Sequence, residues 1–170
     1  MRLETSALHW LLYKHNCHYA VCERPPRGCV GEPDVIGVRR DRKLVEIEVK
    51  RSVSDFRANS QKQHVKRRDI YLNLWPVQFY FCVPPALVPK VTPILPQWSG
   101  LLCGGCDGRD PYLNVIKNAP TNAASTPLSL REAVAMARCM ANHVAAAEKR
   151  YDDVVKEWRK GRTEVGDFQI

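Results

Sequence analysis

The residues best able to do chemistry lie together between Glu32 and Arg57, in the run EPDVIGVRRDRKLVEIEVKRSVSDFR. An acid follows a proline at Pro33-Asp34, a basic stretch runs from Arg39 to Lys43, and a charged strand ends in Glu48-Val49-Lys50. Leu44 to Lys50 alternates apolar and charged residues, which is the period of a strand. Side chains two apart share a face, so Glu46, Glu48 and Lys50 point one way and Val45, Ile47 and Val49 the other. Pro33 to Val38 reads as the preceding strand and Arg39 to Lys43 as the turn, and antiparallel pairing of the two strands brings Asp34 beside Glu48. Two carboxylates and an ammonium so placed suit metal-dependent hydrolysis of a phosphodiester. Magnesium, or manganese in its place, prefers carboxylates, waters and substrate oxygens. It neutralises phosphate charge and makes a water nucleophilic. Asp34 and Glu48 are the expected metal ligands. Lys50 is expected to orient or deprotonate the attacking water, or to stabilise the charged transition state. The competing reading is an amphipathic hairpin with its charged face in water. Apolar strands on either side mark this strand as central, which tells against that reading.

With these residues the chain resembles the PD-(D/E)XK nuclease superfamily and, more closely, the MmcB family of DNA-repair-associated proteins. The resemblance is carried by Asp34, by Val-Glu-Ile-Glu-Val-Lys through Lys50, by Ser52-Val53-Ser54-Asp55-Phe56-Arg57, and by Phe79-Tyr80-Phe81-Cys82-Val83-Pro84-Pro85. It spans roughly residues 1–120. Glu46 departs from the family pattern by adding a second acid on the charged face, and the helix beyond about residue 128 has no counterpart there. The resemblance implies a restriction-endonuclease-like core and a magnesium-dependent nuclease acting on DNA, in repair or recombination. The alternative is a non-catalytic nucleic-acid-binding module, or an interaction protein such as an inhibitor or adaptor, on the same fold. The resemblance also implies an acid from the first helix at the metal site. Glu4 fits by position, with Glu23 and Glu32 as competitors. It further implies a phosphate-holding polar residue on the helix after the strand, where Gln61, Lys62 and His64 stand.

The chain has 170 residues, a formal net charge of +8 and 45% hydrophobic residues. That suits one globular domain with a core of its own. A basic domain favours a polyanionic partner. The charge is concentrated: Arg39 to Arg68 holds eleven Lys and Arg against four acids, so the candidate metal ligands lie inside the most basic segment. Arg57, Lys62, Lys66, Arg67 and Arg68 are the expected contacts to the nucleic-acid backbone. The seven cysteines are odd in number and no secretory signal precedes them, which fits a reducing, cytoplasmic setting. Cys103-Gly-Gly-Cys106 reads either as half of a zinc site or as a glycine turn with incidental thiols. No apolar run reaches the length of a membrane span.

These residues must be positioned by a small set of elements. Leu3 to Lys14 has a helical apolar stripe, and His18 to Cys22 reads as a short strand. Arg24 to Gly31 is a Pro- and Gly-rich loop. After the two strands, Ser54 is an expected N-cap for a helix over Asp55 to Leu74. Val77 to Val83 reads as a buried strand, Ala86 to Pro96 as broken helical turns, and Gly100–Cys103 with Tyr112–Lys117 as a final hairpin. Asn118 to Pro127 is polar, with 121–128 as the linker. Ser129-Leu130-Arg131-Glu132 is a capping-box pattern opening a helix over 129–160, with a break expected near Asn142 and a tail over 161–170. The fold expected is an α/β protein of the α+β type, a central mixed sheet flanked by helices with a long C-terminal helix. That last helix is alanine-rich. It is suited either to pack on the domain or to pair with a second copy as a homodimer.

Overall fold

The computed structural model describes residues 3–22, 33–59, 75–104 and 113–165. The described elements are α1 (Leu3–Tyr13), β1 (Tyr19–Cys22), β2 (Val35–Val38), β3 (Leu44–Val49), α2 (Val53–Asn59), β4 (Gln78–Val83), α3 (Val88–Val91), β5 (Gly100–Cys103), β6 (Asn114–Lys117) and α4 (Leu130–Val165). The strands form one six-stranded mixed sheet in sequence order, β1-β2-β3-β4-β5-β6. β1, β2 and β3 run antiparallel, β3, β4 and β5 run parallel, and β6 returns antiparallel. β3 and β4 are therefore the central strands, as the apolar flanks of the charged strand implied. This is the mixed α+β architecture expected from the sequence, with helices on both faces and the long helix at the end.

The alternation in β3 splits its side chains as its period demands. Val45, Ile47 and Val49 join Ala7, Trp10 and Leu11 of α1, with Tyr80 and Cys82 of β4, in one apolar layer. Phe79, Phe81 and Leu101 face the other way and pack with Phe56 of α2, Trp75 and Val91. Val21, Ile36 and Leu44 continue that second face and are covered by Met136 of α4. Tyr19 ties the same region down, its hydroxyl donating to the Ala133 carbonyl at 2.9 Å. The basic turn between β2 and β3 is closed by Arg39 N–H donating to Lys43 O at 3.0 Å, with Arg42 at a φ of 61°.

Several boundaries differ from the sequence expectation. α2 is capped by Ser52, not Ser54: the Ser52 hydroxyl accepts the Asp55 N–H at 3.1 Å, and the Ser52 carbonyl accepts that of Phe56. Ser54 already lies in the first turn. The reason is packing, since this start sets Phe56 against Phe81, ring centroids 4.7 Å apart. The continuation expected over 60–74 lies outside the described residues. α4 runs unbroken past Asn142 and past Lys160 to Val165, where a break and then a tail were expected. Asn142 is exposed and its neighbours are alanine-rich, and Gly161 costs a helix only about 1 kcal/mol. The capping box does form: the Ser129 hydroxyl accepts the Glu132 N–H, and the Glu132 carboxylate accepts the Ser129 hydroxyl at 2.6 Å and the Ser129 N–H at 2.8 Å, which together lower the Glu132 pKa. The proline-broken turns over Pro85–Ile94 and the β5–β6 hairpin are present as expected.

None of the described cysteines, Cys17, Cys22, Cys82, Cys103 and Cys139, is in a disulfide. Burial pushes Cys17 and Cys82 up to about 12. Cys106 lies outside the described residues.

Two tests follow from the core. A Cβ on Gly100 would run into the Tyr80 ring and lie 2.6 Å from the Ala119 backbone nitrogen. Because backbone cannot rotate away, Gly100→Ala should lower unfolding free energy by about 1–3 kcal/mol in urea titration. His15 stacks on Trp10 and shares a 2.8 Å hydrogen bond with Gln78. Burial lowers its pKa despite that bond, with Arg39 adding to the effect. The folded chain then holds fewer protons on His15 than the unfolded chain. Its contribution is complete above the unfolded imidazole value and is lost as pH falls from there through the lowered folded value. His15→Gln should flatten the fall in urea midpoint across that range.

Candidate active site

The β2–β3 register pairs Val35 with Ile47. One step further along each strand sets Asp34 opposite Glu48. Asp34 is held there by its own side chain, whose Oδ2 accepts the Val49 N–H at 2.7 Å. On the other side Glu48 pairs in parallel with Phe81. Glu48 thus lies between an acid and an aromatic wall, only 1% exposed. Its Oε1 accepts a hydrogen bond from Lys50 Nζ at 3.1 Å. Lys50 is 3% exposed and is fixed through its backbone, which donates to the Cys82 carbonyl at 2.9 Å. Glu46, on the same face and 4% exposed, is buried as well. The charged face of β3 is therefore not in water, so the solvated-hairpin reading fails. Ions withdrawn from water carry a desolvation cost of several kcal/mol each, and the short Glu48–Lys50 contact offsets part of it.

α2 and α1 complete the surroundings. Asp55, in the first turn of α2, places Oδ1 3.5 Å from Lys50 Nζ. Its Oδ2 accepts the Arg51 N–H at 3.3 Å. Arg51 in turn donates to Glu4 Oε1 of α1 at 2.6 Å. This bond, with the fields of Asp34 and Asp55, raises the Arg51 pKa. Arg51 thus binds a carboxylate of α1 through its guanidinium and one of α2 through its backbone, next to the buried pair.

The structure brings together Asp34, Glu48 and Lys50, as the sequence implied, and places Glu4 at the edge of the group through Arg51. Arg57 is exposed on α2. Gln61, Lys62, His64, Lys66, Arg67 and Arg68 lie outside the described residues, as do Glu23 and Glu32. The sequence reading passed over Arg51 and gave Asp55 only a helix-start role. The signal for Asp55 was its place five residues after Lys50, at a helix start. For Arg51 no local signal exists, because its partner is 47 residues away.

Asp34 and Glu48 offer hard carboxylate oxygens from facing strand positions, the donor type that suits magnesium, which fills its other positions with water and phosphate oxygens. Among the described residues no group of three His, Cys, Asp or Glu side chains forms a complete ligand set. At the other end of β2, a cleft of about 340 Å³ is lined by His15, Asn16, Arg39, Arg40 and Asp41. It lacks a carboxylate pair.

No family model matches the chain, and no curated protein matches it. Among solved structures it is similar to the SPO1766 protein of unknown function from Silicibacter pomeroyi, with 24% sequence identity and a TM-score of 0.57. The match covers 89% of this chain and 90% of that one. The two share a fold. No helix among the described residues is long and apolar enough to cross a membrane.

Lys50→Met should expose how the buried pair is balanced. It removes the ammonium beside a carboxylate that is almost wholly enclosed, and breaking a buried pair from one side costs about 3–5 kcal/mol. Adding Glu48→Gln should recover part of that loss. Equal stability of wild type and Lys50→Met in guanidinium unfolding would mean that Asp55 and its neighbours, not Glu48, set the balance.

Proposed function

We propose that the chain is a magnesium-dependent nuclease of the PD-(D/E)XK type, close to the MmcB family, hydrolysing phosphodiester bonds in DNA. The observation that carries this reading is the burial of Glu48 and Lys50 on a central strand with Asp34 held beside them. A protein with only a solvated charged face has no reason to enclose such a group. Asp34 and Glu48 would hold the metal, which supplies charge neutralisation on the phosphate and acidifies a bound water. Lys50 is fixed by its backbone and by Glu48, so its ammonium approaches a phosphate oxygen or an incoming water from one direction and with little reorganisation. The Phe81 wall beside Glu48 would keep bulk water from that carboxylate and strengthen the local field. Arg57 and the basic residues that follow it in sequence would contact the DNA backbone without reading its bases.

One observation favours a second reading, a metal-free nucleic-acid-binding module. The Arg51 guanidinium is bound to Glu4, and its charge acts on Asp34 and Asp55 as well.

Single-turnover cleavage of labelled single-stranded, duplex and branched DNA separates the two. For the nuclease, cleavage requires magnesium or manganese and stops in EDTA. Lys50→Arg should then keep DNA affinity in calcium but lose about 10²–10⁴-fold in rate, because guanidinium is larger, planar and far harder to deprotonate. Asp34→Asn should lose cleavage and magnesium binding together in calorimetry. Binding without cleavage in either metal, unchanged in Lys50→Arg, would establish the binding module instead.

A further inference from the structure

The cleft at the far end of β2 is a second place where cations outnumber acids. It lies between the turn after α1, with His15 and Asn16, and the β2–β3 turn, with Arg39, Arg40 and Asp41, and holds about 340 Å³. Arg39 is paired with Asp41 at 3.4 Å. Arg40 is exposed, and its Nε–H donates to His18 Nε2 at 3.1 Å. Among the described residues no carboxylate lies within ion-pair distance of Arg40. The histidine therefore orients the guanidinium without neutralising it, and the terminal N–H groups are left to grip an anion. A planar fork of this kind matches the oxygens of a phosphate.

α1 joins this cleft to the candidate active site. At its start Glu4 holds Arg51, whose side chain is 64% exposed. At its end Trp10 stacks on His15, which lines the cleft. The helix has 11 residues and spans about 17 Å. Its outer face carries an aromatic pair. His9 and Tyr13 are four residues apart and share a face, their ring centroids are 4.4 Å apart, and Tyr13 is 68% exposed. An exposed ring between two sources of positive charge is the combination that holds a single strand, with cations tracking the backbone and an aromatic stacking a base.

We propose that Arg51, the His9–Tyr13 pair and the Arg39–Arg40 cleft form a track for single-stranded nucleic acid. The strand leaves the candidate active site past Arg51, crosses α1 and sets a backbone phosphate in the cleft. The track rests on the nuclease reading above for the chemistry of its partner, and adds the form of the substrate and its path. The path itself selects a single strand. Lys50 leaves β3 on the face of the buried pair, whereas Arg51 reaches α1 on the other face, so a strand passing both turns from one face of the sheet to the other within a few residues. Duplex DNA, with a persistence length of about 150 bp, does not bend so sharply at low cost.

The test is fluorescence anisotropy of labelled oligothymidylates and of a matched duplex, in calcium to suppress turnover. Wild type should bind a strand of about 12 nucleotides about tenfold more tightly than one of about 4, and more tightly than the duplex. Arg40→Ala and Tyr13→Ala should each weaken binding of the longer strand by about fivefold to tenfold, with the urea midpoint unchanged because both side chains are exposed. Arg40→Ala should also make the log–log salt dependence shallower by about 0.7. Asp41→Asn removes the acid of the cleft but keeps an acceptor for the Lys43 N–H. It should strengthen binding, a gain that damage to the fold would not produce. Magnesium-dependent cleavage by wild type, with affinity indifferent to all three changes, overturns the track and leaves the nuclease reading intact. Absence of binding to any nucleic acid overturns both. Equal affinity for duplex and single strand overturns the track, as does inorganic phosphate bound as tightly as the longer strand in calorimetry, which would make the cleft a small-anion site.

Discussion

The contact on which the rest of the structure turns is the one between Glu48 and Lys50. Both side chains leave β3 on one face and both are almost wholly enclosed. Their enclosure is possible only because β3 is an interior strand, with β2 and β4 hydrogen-bonded to its two sides. The aromatic packing of Phe56 on Phe81 then brings the start of α2 over the pair. Had β3 been an edge strand, the same residues would be solvated and unremarkable in energy. Sheet order thus converts an ordinary alternating strand into a group whose charges interact strongly with anything admitted to them.

Much of this was legible because β3 obeys a local rule. A period of two fixes which side chains share a face, and the apolar half of that pattern had to find a helix, here Ala7, Trp10 and Leu11 of α1. The capping box at Ser129 and Glu132 was equally local and is present with both reciprocal bonds. The misreadings had a common origin in tertiary contacts. Two serines precede Asp55, and propensity does not choose between them; the reach of Phe56 to the sheet does. Arg51 looked like one more cation in a basic run. Its place among Glu4, Asp34 and Asp55 depends on how α1 packs across the sheet, which no window of neighbouring residues contains.

α4 shows the opposite dependence. Its extent past Asn142 and Lys160 follows from the absence of any strong helix breaker, a local matter, whereas among the described residues its packing on the sheet ends with Cys139, in the third turn. The first two turns are bound into the second face through Tyr19 and Met136. The fold therefore divides into a body whose elements are mutually required and a helix that is rooted in it at one end.

The strand registers also set an order of assembly. Asp34 and Glu48 are brought together by a hairpin whose paired residues are at most fourteen apart, and Lys50, Arg51 and Asp55 follow within seven more residues. The β3–β4 pairing that encloses them joins Val45 to Gln78 across a much longer segment. Each doubling of loop length adds about 0.6 kcal/mol to closure, so the hairpin is the earlier contact on entropic grounds. The charged cluster consequently gathers while still hydrated, where acids and cations meet at little cost, and water is removed only when β4 docks. The desolvation of the cluster and the parallel pairing are then coupled, because the strand that pairs with β3 is also the one that makes the site dry.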